Sequence, residues 1–264
     1  MYLDYWNLKK FPFENVADPS FFYVSQSHEE ALGRLLYASR MGKGAAMLTG
    51  NIGCGKTLIS RVYRNKLREA GADVALLNNP PHRPLEFLQE VAYQMGTEEP
   101  PDSKTKLLHI LYKKMNANMQ QNRKTIVVID EAHILPEEAL EEARLLLNFE
   151  NSHRFMLTLL LIGQPELRVK VLRMSGLEQR IPIRFHLRPF DFTNTIKYIM
   201  FREKKAGFRA NVFTKEALRQ IYDHTGGLPR KIKMICDLSL LVAFKEKRKL
   251  ISSSTVETAI EDLG

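Results

Sequence analysis

Residues 50–57 read Gly50-Asn51-Ile52-Gly53-Cys54-Gly55-Lys56-Thr57, and this stretch decides the fold of the 264-residue chain. Its spacing is that of the phosphate loop G-x-x-x-x-G-K-[ST], in which glycines let successive backbone N–H groups turn toward a phosphate. Residues 45–49 are typical of a strand, and residues 58–63 of a helix whose N-terminus favours anions. Lys56 would reach the β- and γ-phosphates, and the Thr57 hydroxyl would hold Mg²⁺. We therefore predict a nucleotide site whose binding stretch runs from Gly50 to Leu58.

A second motif, Ile126-Val127-Val128-Ile129-Asp130-Glu131, places two carboxylates after a short apolar run. Four apolar residues in a row are typical of a buried strand, whose end would deliver both carboxylates to the phosphates. Asp130 would hold Mg²⁺, and Glu131 would orient or deprotonate the attacking water, a role worth ~10²–10⁴ in rate. Alone, the pair could equally form a solvated acidic turn. Together with the phosphate loop it predicts a hydrolytic P-loop NTPase rather than a small-molecule kinase.

The letters Asp130-Glu131-Ala132-His133 also occur in one large class of nucleic-acid helicases. Such a helicase needs a second stacked motor domain, but only about 130 residues follow Glu131 and the last 75 have helical periodicity. We therefore reject the helicase interpretation and interpret His133 as an ordinary residue at a strand exit.

Composition and charge narrow the class of protein further. The chain is 44% apolar, which is typical of a globular protein, and has only two cysteines, so no disulfide framework is predicted. The apolar runs are shorter than the ~18 residues of a membrane span and the start lacks a signal-peptide pattern, so we expect a cytoplasmic protein without a transmembrane segment of its own. Residues 190–264 hold 14 Lys/Arg against 9 Asp/Glu, out of a net charge of +9 for the chain. That excess suits nucleic acid or an anionic membrane surface, and a solvated basic surface equally.

The order of the predicted elements indicates an α/β domain followed by a helical one. Strands are predicted at 45–49, 74–78, 125–129, 155–162 and 184–187, and helices at 28–40, 57–70, 84–95, 103–121 and 137–149. After Pro189 the periodicity is helical, at 193–207, 214–225, 229–246 and 254–262. We predict a lead-in at 1–44, a P-loop domain at 45–190 and a helical lid at 191–264.

The chain resembles AAA+ ATPases, in particular the group typified by general secretion pathway protein A (ExeA-type). Beyond the two motifs above, the resemblance is carried, in chain order, by Tyr5-Trp6-Asn7-Leu8, Phe11-Pro12-Phe13, Asp18-Pro19-Ser20-Phe21-Phe22-Tyr23, His28-Glu29-Glu30-Ala31-Leu32, Leu161-Ile162-Gly163-Gln164-Pro165-Glu166-Leu167, Leu177-Glu178-Gln179-Arg180-Ile181 and Gly226-Gly227-Leu228-Pro229-Arg230. It implies a five-stranded parallel sheet in three α/β/α layers with a small C-terminal helical lid.

The resemblance also implies roles for three polar side chains. Gln164 would be sensor 1, which helps to place the attacking water; a strand-end turn with Pro165 is the alternative. Arg180 would be the arginine finger that reaches the neighbouring subunit's nucleotide, worth ~10³–10⁵ in rate, with Arg184 as a rival. Arg230 would be sensor 2, which contacts the γ-phosphate. For both arginines a plain surface position is the alternative.

The partners implied by the resemblance fall into two classes. Both expect a homo-oligomeric ring or filament that uses ATP and Mg²⁺. In one class the ATPase helps to assemble type II secretion or pilus components with an envelope protein, which would recruit it to the inner membrane. In the other it binds DNA and a transposase. A nucleotide switch with little turnover is a third hypothesis, disfavoured by Glu131 with Gln164 and Arg180. For Cys54, a small filler residue is favoured over a redox switch.

Overall fold

The computed structural model describes residues 2–151 and 154–263. Within them, the strands are β1 (Ala45–Gly50), β2 (Asp73–Leu77), β3 (Thr125–Ile129), β4 (Glu150–Asn151), β5 (Arg154–Phe155), β6 (Thr158–Gly163) and β7 (Ile183–Leu187). The helices are α1 (Tyr2–Trp6), α2 (Gln26–Met41), α3 (Lys56–Glu69), α4 (Pro84–Gln94), α5 (Lys104–Gln120), α6 (Glu137–Leu146), α7 (Glu166–Arg173), α8 (Ser175–Glu178), α9 (Phe192–Ala206), α10 (Lys215–Thr225), α11 (Pro229–Lys245) and α12 (Ser253–Glu261). No described helix is both long and apolar enough to cross a bilayer.

Five strands form one parallel sheet in the order β2-β3-β6-β1-β7. β1, β3 and β6 are buried along their whole length, which explains why their sequences are continuous apolar runs rather than alternating ones. The predicted five-stranded parallel α/β sheet, followed by helices, is confirmed.

The order of the strands brings three chain segments to one edge of the sheet. β3, β6 and β1 are neighbours, and their registers pair Ile129 with Leu161 and Thr49 with Gly163. Because the strands are parallel, the residues that follow each of them emerge at the same carboxyl edge. This is the edge at which open α/β sheets usually bind ligands.

The prediction of a strand over 155–162 is wrong at its start. β6 begins at Thr158, whereas Phe155 belongs to a two-stranded antiparallel hairpin in which β4 pairs with β5. Apolar residues lie on both sides of the break, interrupted only by Thr158, so the pattern does not reveal where one strand ends. Three short helices, α1, α7 and α8, were not predicted.

Close contacts divide the described chain into two units. The lid unit contains residues up to 25, 53–55 and from 188 onward, and the sheet unit contains 26–52 and 56–187. In the lid unit the apolar core joins Trp6 and Phe13 to the C-terminal helices, and the Trp6 indole donates to the Leu240 carbonyl oxygen at 3.3 Å. In the sheet unit the core lies between the sheet and helices that include α4, α5 and α6. The contacts thus place the first 25 residues with the helices of the lid and α2 with the sheet.

Candidate functional site

The phosphate-loop stretch connects the end of β1 to the start of α3. Gly53 and Gly55 adopt φ values of +82° and +100°, which only glycine reaches readily. In the sheet unit, Lys56 is 6% exposed, and its Nζ donates to the carbonyl oxygens of Gly50 at 2.9 Å and Asn51 at 3.1 Å. The loop itself therefore holds this ammonium through two carbonyl contacts.

The Asp130 carboxylate is buried directly after β3. It accepts hydrogen bonds from the Glu131 backbone N–H at 3.0 Å and from the Thr57 hydroxyl. Burial raises the pKa of Asp130, and these hydrogen bonds and the Lys56 charge oppose the rise. The carboxylate is thus costly to ionise until a cation comes close.

The oxygen atoms of Thr57 and Asp130 suit a magnesium ion. Mg²⁺ prefers hard oxygen ligands, keeps several waters and is usually held by one or two protein groups together with phosphates. A divalent ion beside Asp130 would favour the ionised carboxylate that burial disfavours. The donor set therefore fits the cation that the sequence predicted.

Glu131 immediately precedes a 3₁₀ turn over Ala132–Ile134, and the backbone of Glu131 itself is left-handed. Its φ is 53°, an uncommon value for a residue with a side chain, and its carboxylate is half-exposed while Asp130 is buried. The two adjacent carboxylates therefore have different surroundings, and only the Asp130 carboxylate is enclosed.

Gln164 follows β6 at the same carboxyl edge of the sheet. Its Nε2 lies 2.7 Å from Nε2 of His133, and Nδ1 of the same imidazole lies 3.3 Å from Oε2 of Glu131. The imidazole thus touches both predicted water-positioning side chains, Glu131 and Gln164.

The two candidate arginines, Arg180 before β7 and Arg184 within it, have different surroundings. Arg184 donates to the Glu178 carboxylate at 2.6 Å, to the Glu178 carbonyl oxygen at 2.7 Å and to the Ile181 carbonyl oxygen at 3.1 Å. Arg180, in contrast, has a buried Nη1 without a hydrogen-bond partner among the described residues. The Arg184 guanidinium is therefore held by hydrogen bonds within its own chain, whereas the Arg180 guanidinium has one N–H group, at Nη1, without an acceptor among the described residues.

Arg230 lies at the start of α11 in the lid unit, where its backbone N–H donates to the Gly53 carbonyl oxygen at 3.2 Å. A Cβ on Gly53 would come within 2.7 Å of the Arg230 Cβ, so this contact requires glycine. The Arg230 side chain is exposed, whereas Cys54 in the same unit is completely buried. Burial agrees with the interpretation of Cys54 as a small filler.

A family model described as an AAA domain matches residues 39–171, which is half of the chain. The chain belongs to the AAA+ family of P-loop NTPases. The matched residues extend from α2 to α7 and include β1, β3 and β6 with the polar residues that follow them.

Two relatives of known description are similar to this AAA+ chain. General secretion pathway protein A of Aeromonas hydrophila is 36% identical over 270 residues, covering 100% of this chain and 49% of that protein. The ATP-dependent target DNA activator B of Escherichia phage Mu is 30% identical over 146 residues, covering 54% of this chain and 44% of that one. The AAA+ chain thus spans about half the length of either relative.

Solved structures of other AAA+ proteins share the fold. An Aeropyrum pernix ORC2 structure, described as ADPNP–ADP complexes, has a TM-score of 0.73 at 20% identity over 97% of this chain and 72% of that one. Cdc6p of Pyrobaculum aerophilum has a TM-score of 0.71 at 19% identity, over 94% and 71%. At these identities the likeness establishes the fold alone.

Sequence reasoning interpreted His133 as an ordinary strand-exit residue and did not predict its contacts with Gln164 and Glu131. The position beside Gln164 depends on the adjacency of β3 and β6 and on the left-handed turn at Glu131, neither of which a linear pattern records. A histidine two residues after the second carboxylate was the only available signal.

A cavity of about 650 Å³ opens at the opposite edge of the sheet, lined by Arg40, Arg123, Lys124 and Arg154 among others. Arg40 lies in the last turn of α2, and Arg123 and Lys124 follow the end of α5. Cations at helix C-termini are stabilised by the helix dipole, which would also oppose an anionic ligand. We attribute the charges of Arg40, Arg123 and Lys124 to the helix ends, whereas Arg154 lies in β5.

Proposed function

We propose that this AAA+ chain binds ATP with Mg²⁺ and hydrolyses it to ADP and phosphate. The proposal is carried by the convergence of three neighbouring strands, whose exits bring the phosphate loop, the Asp130–Glu131 pair and Gln164 to one edge of the sheet. A mere nucleotide-binding module would not need a half-exposed carboxylate beside a buried one.

The proposed division of labour follows from the chemistry of each side chain. Residues 50–58 surround the phosphates. When ATP binds, the Lys56 ammonium donates to phosphate oxygens in place of the carbonyl oxygens of its own loop. Thr57 and Asp130 hold Mg²⁺, which supplies positive charge to the phosphates when it is bound. Glu131 orients or deprotonates the attacking water, and Gln164 places that water.

Two arginines complete the proposed site. Arg230 acts as sensor 2 and contacts the γ-phosphate. Arg180, rather than Arg184, is the finger that reaches the nucleotide of a neighbouring subunit in a homo-oligomer, a choice supported by its unpartnered buried Nη1 and by the three bonds that retain Arg184. Removal of such a finger costs ~10³–10⁵ in turnover.

Glu131→Gln tests the catalytic step. We expect ATP binding within about twofold of the parent and turnover lower by roughly 10²-fold or more, because the amide cannot accept the proton of water. Nucleotide affinity by titration calorimetry and phosphate release would be measured on the same preparation. Undiminished turnover would reject the assigned role of Glu131, and a parent chain that binds no ATP at millimolar concentration would reject the whole proposal.

We further propose that hydrolysis drives the assembly or remodelling of a partner complex related to type II secretion or pili. The support is the 36% identity to general secretion pathway protein A over the whole of this chain. In this proposal the chain is cytoplasmic and an envelope protein recruits it to the inner membrane. Affinity capture with Glu131→Gln and ATP, in which the ATP-bound state persists, should retain an envelope protein that Lys56→Ala does not retain.

A second candidate function is that of an ATP-dependent DNA-binding helper of transposition. It is favoured by the 30% identity to the target DNA activator and by the basic excess in residues 190–264. It predicts DNA binding that requires ATP and weakens steeply with salt, because phosphate contacts release counterions. Absence of DNA retention at low salt with a non-hydrolysable ATP analogue would eliminate it.

The third hypothesis, a nucleotide switch with little turnover, makes an opposite prediction in cells. A switch needs binding alone, so Glu131→Gln would leave the cellular activity intact. An ATPase that works through turnover would lose it.

A further inference from the structure

We propose that His133 is a positioning residue of the ATPase reaction: its imidazole links the carboxylate of Glu131 to the amide of Gln164 and sets both relative to the attacking water. This inference rests on the proposed function, since it assigns a role within that reaction. His133 belongs neither to the phosphate loop nor to the acidic pair Asp130–Glu131.

The geometry places one ring between the two side chains. The Gln164 Nε2 lies 2.7 Å from His133 Nε2, a full hydrogen-bond contact, and the Glu131 Oε2 lies 3.3 Å from His133 Nδ1. The second contact is close enough for an ion pair, but Nδ1 has no aligned hydrogen-bond acceptor among the described residues.

The contact with Gln164 determines which ring nitrogen carries the proton. The side-chain N–H₂ group of Gln164 can only donate, so His133 Nε2 accepts from it and carries no proton. A neutral imidazole then bears its proton on Nδ1, the atom that faces the Glu131 carboxylate. The ring therefore lies between an acceptor, the Glu131 carboxylate, and a donor, the Gln164 N–H₂ group. A water molecule can hydrogen-bond with both kinds of group.

The backbone of His133 is anchored from two sides. Lys170 on α7 donates to the carbonyl oxygens of His133 at 2.6 Å and Leu135 at 2.7 Å, which fixes the turn. At the end of β6, a Cβ on Gly163 would come within 3.1 Å of the His133 nitrogen, so the turn approaches the strand closely. The His133 side chain is only 13% exposed. The contacts of the imidazole therefore belong to a rigid frame and not to a freely moving surface side chain.

Replacement of His133 should affect turnover and spare binding. Without the ring, Glu131 and Gln164 are free to rotate, and misplacement of a catalytic group by about 1 Å can cost ~10²-fold in rate. We expect His133→Ala to lower kcat roughly 10-fold to 100-fold with KM for ATP within about threefold of the parent. His109→Ala, at an exposed position on α5, is the matched control and should change neither constant.

A conservative variant and a double-mutant cycle separate positioning from general damage. Asn at position 133 retains an N–H donor close to the place of Nδ1 but cannot reach Gln164, so His133→Asn should recover part of the lost kcat. In a Gln164→Ala background, His133→Ala should cost much less than it does in the parent, because the two residues act as one unit. Independent, multiplicative effects would overturn the inference.

The tautomer provides a test that does not depend on hydrolysis. In the nucleotide-free protein, ¹⁵N NMR of the His133 ring should show the proton on Nδ1, and Gln164→Ala should perturb that signal. A proton on Nε2 would overturn the inference even if the parent hydrolyses ATP. A parent without ATPase activity would instead refute the proposed function, and an active parent with an unchanged His133→Ala kcat would refute the role of His133 alone.

Discussion

At the scale of single residues, the candidate site depends on two charges held out of water. Lys56 and Asp130 are 6% and 1% exposed; Lys56 donates to carbonyl oxygens of its own loop, and Asp130 accepts from the Glu131 N–H and the Thr57 hydroxyl. Buried charges are unfavourable unless opposite charges compensate them, so a nucleotide with its cation would stabilise both at once. This is the physical reason to expect strong loss of function when either charge is removed.

Lys56→Ala should lose most ATP affinity and nearly all turnover, because Lys56 would supply the positive charge that meets the β- and γ-phosphates. Fluorescent nucleotide titration and phosphate release would measure the two losses. Lys66→Ala, an exposed lysine in the last turn of the same helix, is the control and should behave like the parent. Equal hydrolysis by Lys56→Ala and the parent would contradict the assignment of the loop.

At the scale of elements, helix α9 carries a carboxylate that the phosphate site does not explain. Glu203 is 2% exposed, its Oε1 accepts from the Val212 N–H at 3.1 Å, and its Oε2 has no hydrogen-bond partner among the described residues. Burial raises the pKa of Glu203 to about 7, and the bond from Val212 opposes the rise. The folded lid unit therefore favours the protonated carboxyl group.

This raised pKa makes stability fall as pH rises. Near pH 4 the carboxyl group is protonated in the folded and the unfolded chain, whereas between about pH 4.5 and 7 only the folded chain keeps the proton. The resulting loss is at most ~3 kcal/mol and is complete above pH 7. Glu203→Gln cannot ionise, so in urea unfolding it should equal the parent near pH 4 and exceed it at pH 8.

Glu257→Gln, at an exposed position on α12, is the control for that titration. The quantity of interest is the difference in unfolding free energy between Glu203→Gln and the parent as a function of pH. A difference that stays constant from pH 4 to pH 8 would show that Glu203 ionises freely in the folded chain.

The turn between α10 and α11 offers a second prediction at this scale. Gly227 has φ +74°, and a Cβ there would lie 1.8 Å from the Phe190 carbonyl oxygen, whereas a Cβ on Gly226, at φ +57°, would meet nothing within 4 Å. Gly226→Ala should cost about 1 kcal/mol for its left-handed backbone. Gly227→Ala adds a steric clash and should cost several kcal/mol, measured by denaturant unfolding. Equal costs would mean that the Phe190 segment moves aside without strain.

The elements also show what a sequence can and cannot reveal. β1 and β3 were predicted at or close to their bounds because a short apolar run is typical of a parallel strand buried on both faces. The start of β6 was not, because Phe155, Met156 and Leu157 are also apolar although Phe155 pairs with Glu150 and β6 begins only at Thr158. α7 was not predicted because only two of its residues, Leu167 and Val171, are buried, and two apolar positions are too few to show a helical period. For the candidate site, the sequence predicted the polar residues and the strands that they follow. It did not predict contacts between residues that follow different strands, such as that of His133 with Gln164.

At the scale of the whole molecule, the proposed arginine finger requires more than one copy of the chain. A finger arginine acts on a nucleotide that another subunit binds, so Lys56 and Arg180 of one active site would come from different copies. The proposal of a homo-oligomer therefore has a consequence that can be tested without knowledge of its size.

Mixing two inactive variants should restore activity. Lys56→Ala would lack nucleotide but still offer Arg180, and Arg180→Ala would bind nucleotide but offer no finger. Turnover of the mixture should exceed that of either variant alone by roughly tenfold or more. A mixture as inactive as its components would contradict the sharing of Arg180 between subunits. Arg184→Ala should instead reduce stability, because it removes three bonds within the chain.

The left-handed backbone of Glu131 has one more consequence. A carboxylate-bearing residue at φ 53° is held there at a cost of order 1 kcal/mol, and asparagine tolerates that conformation better. Glu131→Asn should therefore melt at a higher temperature than the parent while turning over far more slowly. Laboratory evolution for heat resistance alone should therefore tend to replace Glu131, although the proposed hydrolysis requires it.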